Sequence, residues 1–376
     1  VSGGGFLAGS VNLLGGDPGI GKSTLALQLL ASVVTAHSIK ALYFSGEESR
    51  DQIALRARRL RVPDSSFQVS NDMELQQVLH AMDSEKPDIL VIDSIQTLYS
   101  LNSDSLPGSV SQVRECASEL MNKAKEKDIS LIIIGHITKE GAIAGPKMLE
   151  HLVDSVFYLE GDQNHFFRVL RSVKNRFGST NEIGIFEMQA DGLQSVANPG
   201  DIFLSERRAQ IPGSVVGVGM EATRPLLLEI QALAAKAAYG APQRNSTGTD
   251  PRRLSMLLAV MEKKLKLPLY QNDIFINVVG GLKFFEPAMD LAVAAAILSS
   301  YHDRPFPEDF VFFGELGLTG ELRSVSLALK RLEEAVRMGF RRVVLPVGAK
   351  KALVNMKVDP ELHFIQGIAE LEEFLK

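Results

Sequence analysis

The chain holds a single cysteine, Cys116, in 376 residues. That excludes an intramolecular disulfide framework and a cysteine-built zinc site within these residues, and fits a reducing compartment. A surplus of charge is also missing: 40 Lys and Arg against 45 Asp and Glu leave a formal net charge of −5. No global field draws the chain to DNA or to a membrane, so any nucleic-acid surface must be a local channel or patch. There is no apolar run of about eighteen residues and no signal-peptide pattern, so a cytoplasmic protein without a membrane partner is expected. Internal repeats and low-complexity tracts are absent, although Tyr239–Thr249 reads as a mobile polar loop. What remains, 45% hydrophobic and 23% charged residues, is an ordinary globular composition over a length that suits two domains. The first residue is Val1 rather than Met, and a further module ahead of it is expected.

Against these absences stands one dense motif, VNLLGGDPGIGKST at Val11 to Thr24. It reads G-x-x-x-x-G-K-S between a strand-like and a helix-like run, the pattern of a phosphate-binding loop. Glycines let backbone N–H groups converge on phosphate oxygens, and the following helix directs its positive end at the same anion. The expected nucleotide-binding residues are Gly16, Asp17, Pro18, Gly19, Ile20, Gly21, Lys22, Ser23 and Thr24. Lys22 is expected to neutralise the β- and γ-phosphates of ATP, and Ser23 to ligate Mg²⁺.

From Val11 to about Ser195 short apolar runs alternate with helix-like segments, which predicts an α/β domain with a parallel sheet. Strands are expected at Val11–Leu14, Ala41–Ser45, Ile89–Ile92, Leu131–Gly135, Ser155–Glu160 and Phe166–Ser172, and helices notably at Ser23–Thr35, Ser49–Leu60 and Val110–Glu126. Asn198–Gly213 reads as a connector. Beyond it an α+β domain is expected, with helices at Asp250–Leu265, Pro287–Ser299 and Leu327–Met338 and a terminal helix. The expected partition is 1–197, a linker at 198–213, and 214–376.

Three further positions complete an ATPase reading. The apolar strand ILVID ends in Asp93, placed to hold Mg²⁺ through water. After the second strand, SGEES offers Glu47 to polarise the attacking water, with Glu48 assigned to the dipole of the next helix. The run LIIIGH ends in His136, a candidate sensor of the γ-phosphate. The arginines Arg56, Arg58, Arg59 and Arg61 are read as a solvated helix face.

In this order the motifs resemble the RecA and DnaB class of ring or filament ATPases. KNRFG at Lys174–Gly178, with GDPGIGKST, SGEES, IDSIQT, PGSVSQVRE, GHITKEGAIAGPK and EPAMDLAVA, is similar to the bacterial RadA (Sms) family of DNA-repair proteins over essentially the whole chain. The resemblance implies a RecA-like P-loop ATPase domain, with Ser100–Val113 and Lys139–Leu152 as DNA-contacting segments. It implies that Lys174 and Arg176 reach a neighbouring subunit's ATP in trans, and so a homo-oligomer, expected to be a hexamer. Single-stranded and branched DNA and RecA are the implied partners, in branch migration. Within GAIAGPK, Lys139 and Lys147 suit a phosphate backbone, and the lack of aromatics there predicts electrostatic rather than stacking contact. Arg224, Arg252 and Arg323 are weaker DNA-contact candidates. The family's zinc belongs to an N-terminal four-cysteine module outside these residues.

The second domain resembles the Lon-protease-like fold, of the ribosomal protein S5 domain 2-like kind, through INVVGGLKFFEPAMDLAVAAAILSS and GELGLTGELRSVSLALKRLEEAVRMGF. Where that resemblance places a nucleophilic serine stands Ala288, and where it places the lysine stands Leu329, with Lys330 adjacent. Alanine has no nucleophilic atom, so proteolysis is expected to be lost. Three rivals to a DNA-dependent motor are an ATP-dependent Lon-type protease, an ATP-switched recombination mediator, and a RecA-like circadian or signalling ATPase. The missing dyad speaks against the first, Glu47 and Lys174 against the second, and stimulation by DNA would exclude the third.

Overall fold

The apolar runs of the first 196 residues alternate so that successive side chains enter different layers, as a strand buried on both faces requires. In the structure, a computed structural model, Leu13, Leu42, Phe44, Leu90, Ile92, Leu131 and Ile133 fill one core, and Leu14, Tyr43, Ile89, Val91, Ile132 and Ile134 fill the other. The chain is described throughout except for residues 4, 64–66, 137–145, 162–166, 197–199, 201–202, 209, 222, 238–240, 281–283, 354–359 and 376. It divides into two compact units, Val1–Val196 and Ala197–Lys376.

Unit 1 is a nine-stranded sheet. Its strands are β1 (Val11–Gly16), β2 (Ala41–Ser45), β3 (Gln68–Ser70), β4 (Ile89–Asp93), β5 (Ser130–His136), β6 (Ser155–Glu160), β7 (Phe167–Asn175), β8 (Ile183–Gln189) and β9 (Gly192–Ser195), in the order β3-β2-β4-β5-β1-β6-β7-β8-β9. The first six positions pair in parallel and the last three strands add antiparallel. Helices α1 (Lys22–His37) and α2 (Arg50–Arg59) bury Leu27, Leu30 and Ile53 in one core, while α3 (Leu75–Glu85) and α4 (Val110–Glu126) bury Val78, Met82 and Leu120 in the other. Cys116 is buried in α4, and burial pushes its thiol up to about 12, which makes it an inert core residue.

Parallel register puts the carboxyl ends of four strands at one level. Gly16 of β1 pairs with His136 of β5, and Asp93 of β4 pairs with Ser45 of β2 and Ile134 of β5. Open α/β sheets bind ligands at that edge.

Unit 2 has its own seven-stranded mixed sheet. The strands are β10 (Ser214–Glu221), β11 (Arg224–Lys236), β12 (Arg244–Thr247), β13 (Asn272–Val278), β14 (Phe310–Phe312), β17 (Arg342–Pro346) and β18 (Glu361–Ile365), ordered β12-β13-β11-β10-β14-β17-β18, and β15 (Glu315–Leu316) and β16 (Leu322–Arg323) form a separate ribbon. Helices α5 (Pro251–Leu265), α6 (Asp290–His302) and α7 (Ala328–Arg337) complete it. A Cβ on Gly217 of β10 would lie 2.8 Å from the Cβ of Ala292 in α6, so the alanine-rich helix and the glycine-bearing strand pack backbone to backbone.

Two readings need correcting. Part of the loop expected at Tyr239–Thr249 is the edge strand β12, which takes polar RNST because only its inner edge pairs, with β13. The expected terminal helix is β18 followed by a 3-10 turn at Ile368–Phe374.

Candidate nucleotide site

Between β1 and α1 the backbone makes the loop that the glycines permit. Gly19 (φ 76°) and Gly21 (φ 115°) take left-handed conformations that a side chain would strain. A Cβ on Gly21 would lie 2.8 Å from Met188 Cε, and one on Gly16 would lie 2.5 Å from the Leu159 carbonyl. Helix α1 has no side-chain cap and no acidic residue in its first turn. Its leading N–H groups are therefore left for an outside acceptor, which is what a phosphate supplies. The cavity at this point holds about 390 Å³ and is walled by Gly19, Gly21, Lys22, Ser23, Thr24, Glu47, Glu48, Arg56, Arg59, His136, Arg168 and Met188.

Lys22 is buried, and its Nζ donates to the carbonyls of Gly16 and Asp17 at 2.9 Å each. A third contact, also 2.9 Å, runs to His136 Nδ1, and His136 Nε2 lies 2.5 Å from Glu47 Oε1. Since the ammonium only donates, Nδ1 accepts and Nε2 carries the proton donated to Glu47. Ser94 Oγ donates to the same Glu47 oxygen at 2.7 Å. The chain Lys22, His136, Glu47, Ser94 thus joins three strand tips and the phosphate loop. Its electrostatics follow: burial lowers Lys22 to about 8 against the pull of Asp93, Glu47 and Asp17. The His136 hydrogen bond, with help from Ser94, holds Glu47 down at about 2.

Asp93 is 2% exposed at the end of β4. Burial raises its carboxyl, while hydrogen bonds from Tyr43 and Ser23 oppose the rise. Tyr43 donates its hydroxyl to Oδ2, and Oδ1 is buried with no hydrogen-bond partner. A buried carboxylate oxygen left over beside the Ser23 hydroxyl fits Mg²⁺, which takes one or two protein oxygens and completes its shell with water and phosphate. Ser23 and Asp93 would hold the ion, which when bound neutralises charge on the phosphates; among the described residues no cluster of three or more His, Cys, Asp or Glu forms a metal cage.

Several side chains lie where the sequence did not put them. Ser49, not Glu48, serves the start of α2, its Oγ accepting from Gln52 N at 3.3 Å in a capping box. Glu48 is instead ion-paired with Arg56, and Arg56 and Arg59 face the cavity rather than solvent alone. Arg168 and Met188 were missed altogether. They come from the antiparallel part of the sheet, and no spacing links them to the loop motif.

Lys174, at the end of β7, donates Nζ to the carbonyls of Glu150 (2.9 Å), His151 (3.4 Å) and Val153 (2.7 Å) of its own chain. Arg176 reaches Asp154 Oδ1 at 3.4 Å and is more than half exposed. Both therefore address the segment that follows His136. Lys147 is exposed in the 3-10 turn Pro146–Met148, and Lys139 lies outside the described residues. In unit 2, Arg224 opens β11, Arg252 is exposed in the first turn of α5, and Arg323 is paired with Glu321 at 2.6 Å. Ala288 is fully buried in the turn Pro287–Met289, and Leu329 packs against the unit 2 core.

A family profile described as "AAA domain" matches residues 2–142, and one described as "Subunit ChlI of Mg-chelatase" matches residues 250–349. The DNA repair protein RadA of Bacillus subtilis (strain 168) is 49% identical over 376 residues, 100% of this chain and 81% of that protein. The protein of the same name from Pseudomonas aeruginosa is 47% identical over 375 residues, 99% of this chain and 82% of its own length. Among solved structures, a KaiC-like protein of Pyrococcus horikoshii OT3 aligns with 51% of this chain and 92% of its own at 18% identity and a TM-score of 0.42.

Proposed function

The chain belongs to the RadA family of DNA repair proteins, and from that membership we propose that it is a DNA-dependent ATPase working as a ring-shaped motor, expected to be a hexamer. It translocates on single-stranded DNA in the cytoplasm and promotes branch migration with RecA in recombination and repair. The observation that carries this reading is the connected chain from Lys22 through His136 to Glu47. It joins the lysine of the phosphate loop to the carboxylate placed for water, through a strand tip that leads into residues 137–152.

In this reading Lys22 neutralises the β- and γ-phosphates, and Ser23 and Asp93 hold Mg²⁺. Glu47, ionised because His136 and Ser94 donate to it, accepts a hydrogen bond from the water that attacks the γ-phosphorus. A carboxylate this acidic orients water better than it takes a proton. The new P–O bond forms from water as the bond to the β-phosphate oxygen breaks, and the proton leaves with inorganic phosphate. Lys174 and Arg176 serve the neighbouring copy's nucleotide once they release the 150–154 segment. Lys139 and Lys147 follow the DNA backbone, and Arg224, Arg252 and Arg323 are further contacts on the second, proteolytically inactive domain (214–376, after the 198–213 linker).

The test is steady-state ATP hydrolysis with and without single-stranded DNA at two salt concentrations, with Lys22→Ala as the blank. Salt-sensitive stimulation is expected, because phosphate contacts release counterions. A flat response refutes the motor and favours an assembly switch. Lys174→Ala that hydrolyses ATP normally with DNA present refutes the trans role.

A further inference from the structure

Nothing in the ATPase motifs calls on Arg168, one of several arginines in FFRVLRSVKNR. In the structure it is 5% exposed, and its Nε donates to the Ile20 carbonyl at 3.1 Å while Nη1 donates to the Phe167 carbonyl at 2.8 Å. One of these two carbonyls belongs to the tip of the phosphate loop. The stem reaches that point past Gly161, where a Cβ would lie 3.0 Å from Arg168 Cδ and 2.7 Å from the Phe167 carbonyl.

The consequence comes from peptide geometry. The bond between Ile20 and Gly21 is trans, so the Ile20 C=O and the Gly21 N–H point in opposite directions within one plane. Ile20 is also anchored by its side chain, which is 1% exposed in the core. With the side chain buried and the carbonyl bonded to Arg168, the plane is held at two points, and the direction of the Gly21 amide is set with it. Without the arginine, Gly21 at φ 115° would be free to let the plane turn.

We propose that Arg168 is a positioning residue for the phosphate loop, holding the Gly21 amide toward the phosphates of the bound nucleotide. This rests on the reading of residues 16–24 as the ATP cradle. The amide meets phosphate in the ground state and in the transition state alike. Its loss therefore weakens binding without slowing the chemical step.

The experiment is equilibrium binding of Mg²⁺-ADP together with kcat and KM for ATP, in wild type, Lys22→Ala, Arg168→Met and Arg168→Lys. Arg168→Met is expected to raise the ADP Kd and the ATP KM together by about tenfold, the worth of one charge-assisted hydrogen bond, with kcat changed less than about twofold. Arg168→Lys, which keeps the charge and one donor, recovers most of that loss. Folded Arg168→Met with wild-type ADP affinity overturns the proposal, as does a loss confined to kcat. Should that variant not fold, Gly161→Ala carries the test: it crowds the arginine stem with the charge in place, and an unchanged ADP affinity there is equally fatal. Wild type indistinguishable from Lys22→Ala in ADP binding overturns the nucleotide reading itself, and this inference with it.

Discussion

Hydrogen bonds from His136 and Ser94 outweigh the partial burial that would raise the Glu47 carboxyl, so it is held ionised, and it is exposed enough to meet water. Glu47→Gln keeps the shape and removes the charge. It is expected to lower kcat roughly 100-fold or more while ATP binding stays within about threefold, since the change falls on the attacking water. Lys22 works in the other direction. Burial takes its pKa from 10.5 down to about 8, so the folded chain gives up a proton that the unfolded chain still holds between those values. Stability rises with pH wherever the unfolded state binds more protons. Without nucleotide, the wild-type unfolding midpoint should therefore gain on that of Lys22→Met as pH goes from about 8 toward 10, and parallel curves would show that the buried ammonium costs nothing.

At the scale of elements, one side chain hydrogen-bonds the phosphate-loop helix to the far hairpin, beside the core that the two share. Gln28 of α1 donates Nε2 to the Leu193 carbonyl at 3.2 Å and accepts from Leu193 N at 2.9 Å, pairing both backbone groups of a buried residue in β9. Gln28→Ala leaves both groups without that partner and is expected to cost about 1–3 kcal/mol of stability, read as a lowered thermal midpoint. Such joins are what the sequence hides. The strands around the loop were legible because they are continuous apolar runs. Lys22, read from the loop motif, and Asp93, Glu47 and His136, read from the ends of those strands, lie near one another in the structure. By contrast β8 (IGIFEMQ) and β9 (GLQS) are short and partly exposed, with weak alternation, and α3 left too faint a pattern to be singled out. Arg168 and Met188 are brought to the cavity by antiparallel pairings of β6 with β7 and β7 with β8. Pairing partners, and hence those two residues, cannot be read from one strand's own pattern. Glu48 was misassigned for a similar reason: its partner Arg56 is eight residues on, and the helix between them had to be built before the pair could be seen.

On the scale of the whole molecule, each unit has its own sheet and its own core. A ligand that binds only the folded form stabilises the unit that holds its site. Calorimetry with Mg²⁺-ADP at about 100 times its Kd is expected to raise the transition of unit 1 by the equivalent of about 2.7 kcal/mol, and no shift would contradict the cavity's assignment to nucleotide. The borders of both sheets carry a last consequence. The outermost strands, β3 and β9 in unit 1 and β12 and β18 in unit 2, are three to five residues long, against thirteen in the interior strand β11. Short rims offer few unpaired N–H and C=O groups for another chain to extend. Copies of this protein crowded side by side are thus steered away from fusing sheet to sheet into fibrils, and any ordered association among them falls to side-chain surfaces, which can form and release repeatedly.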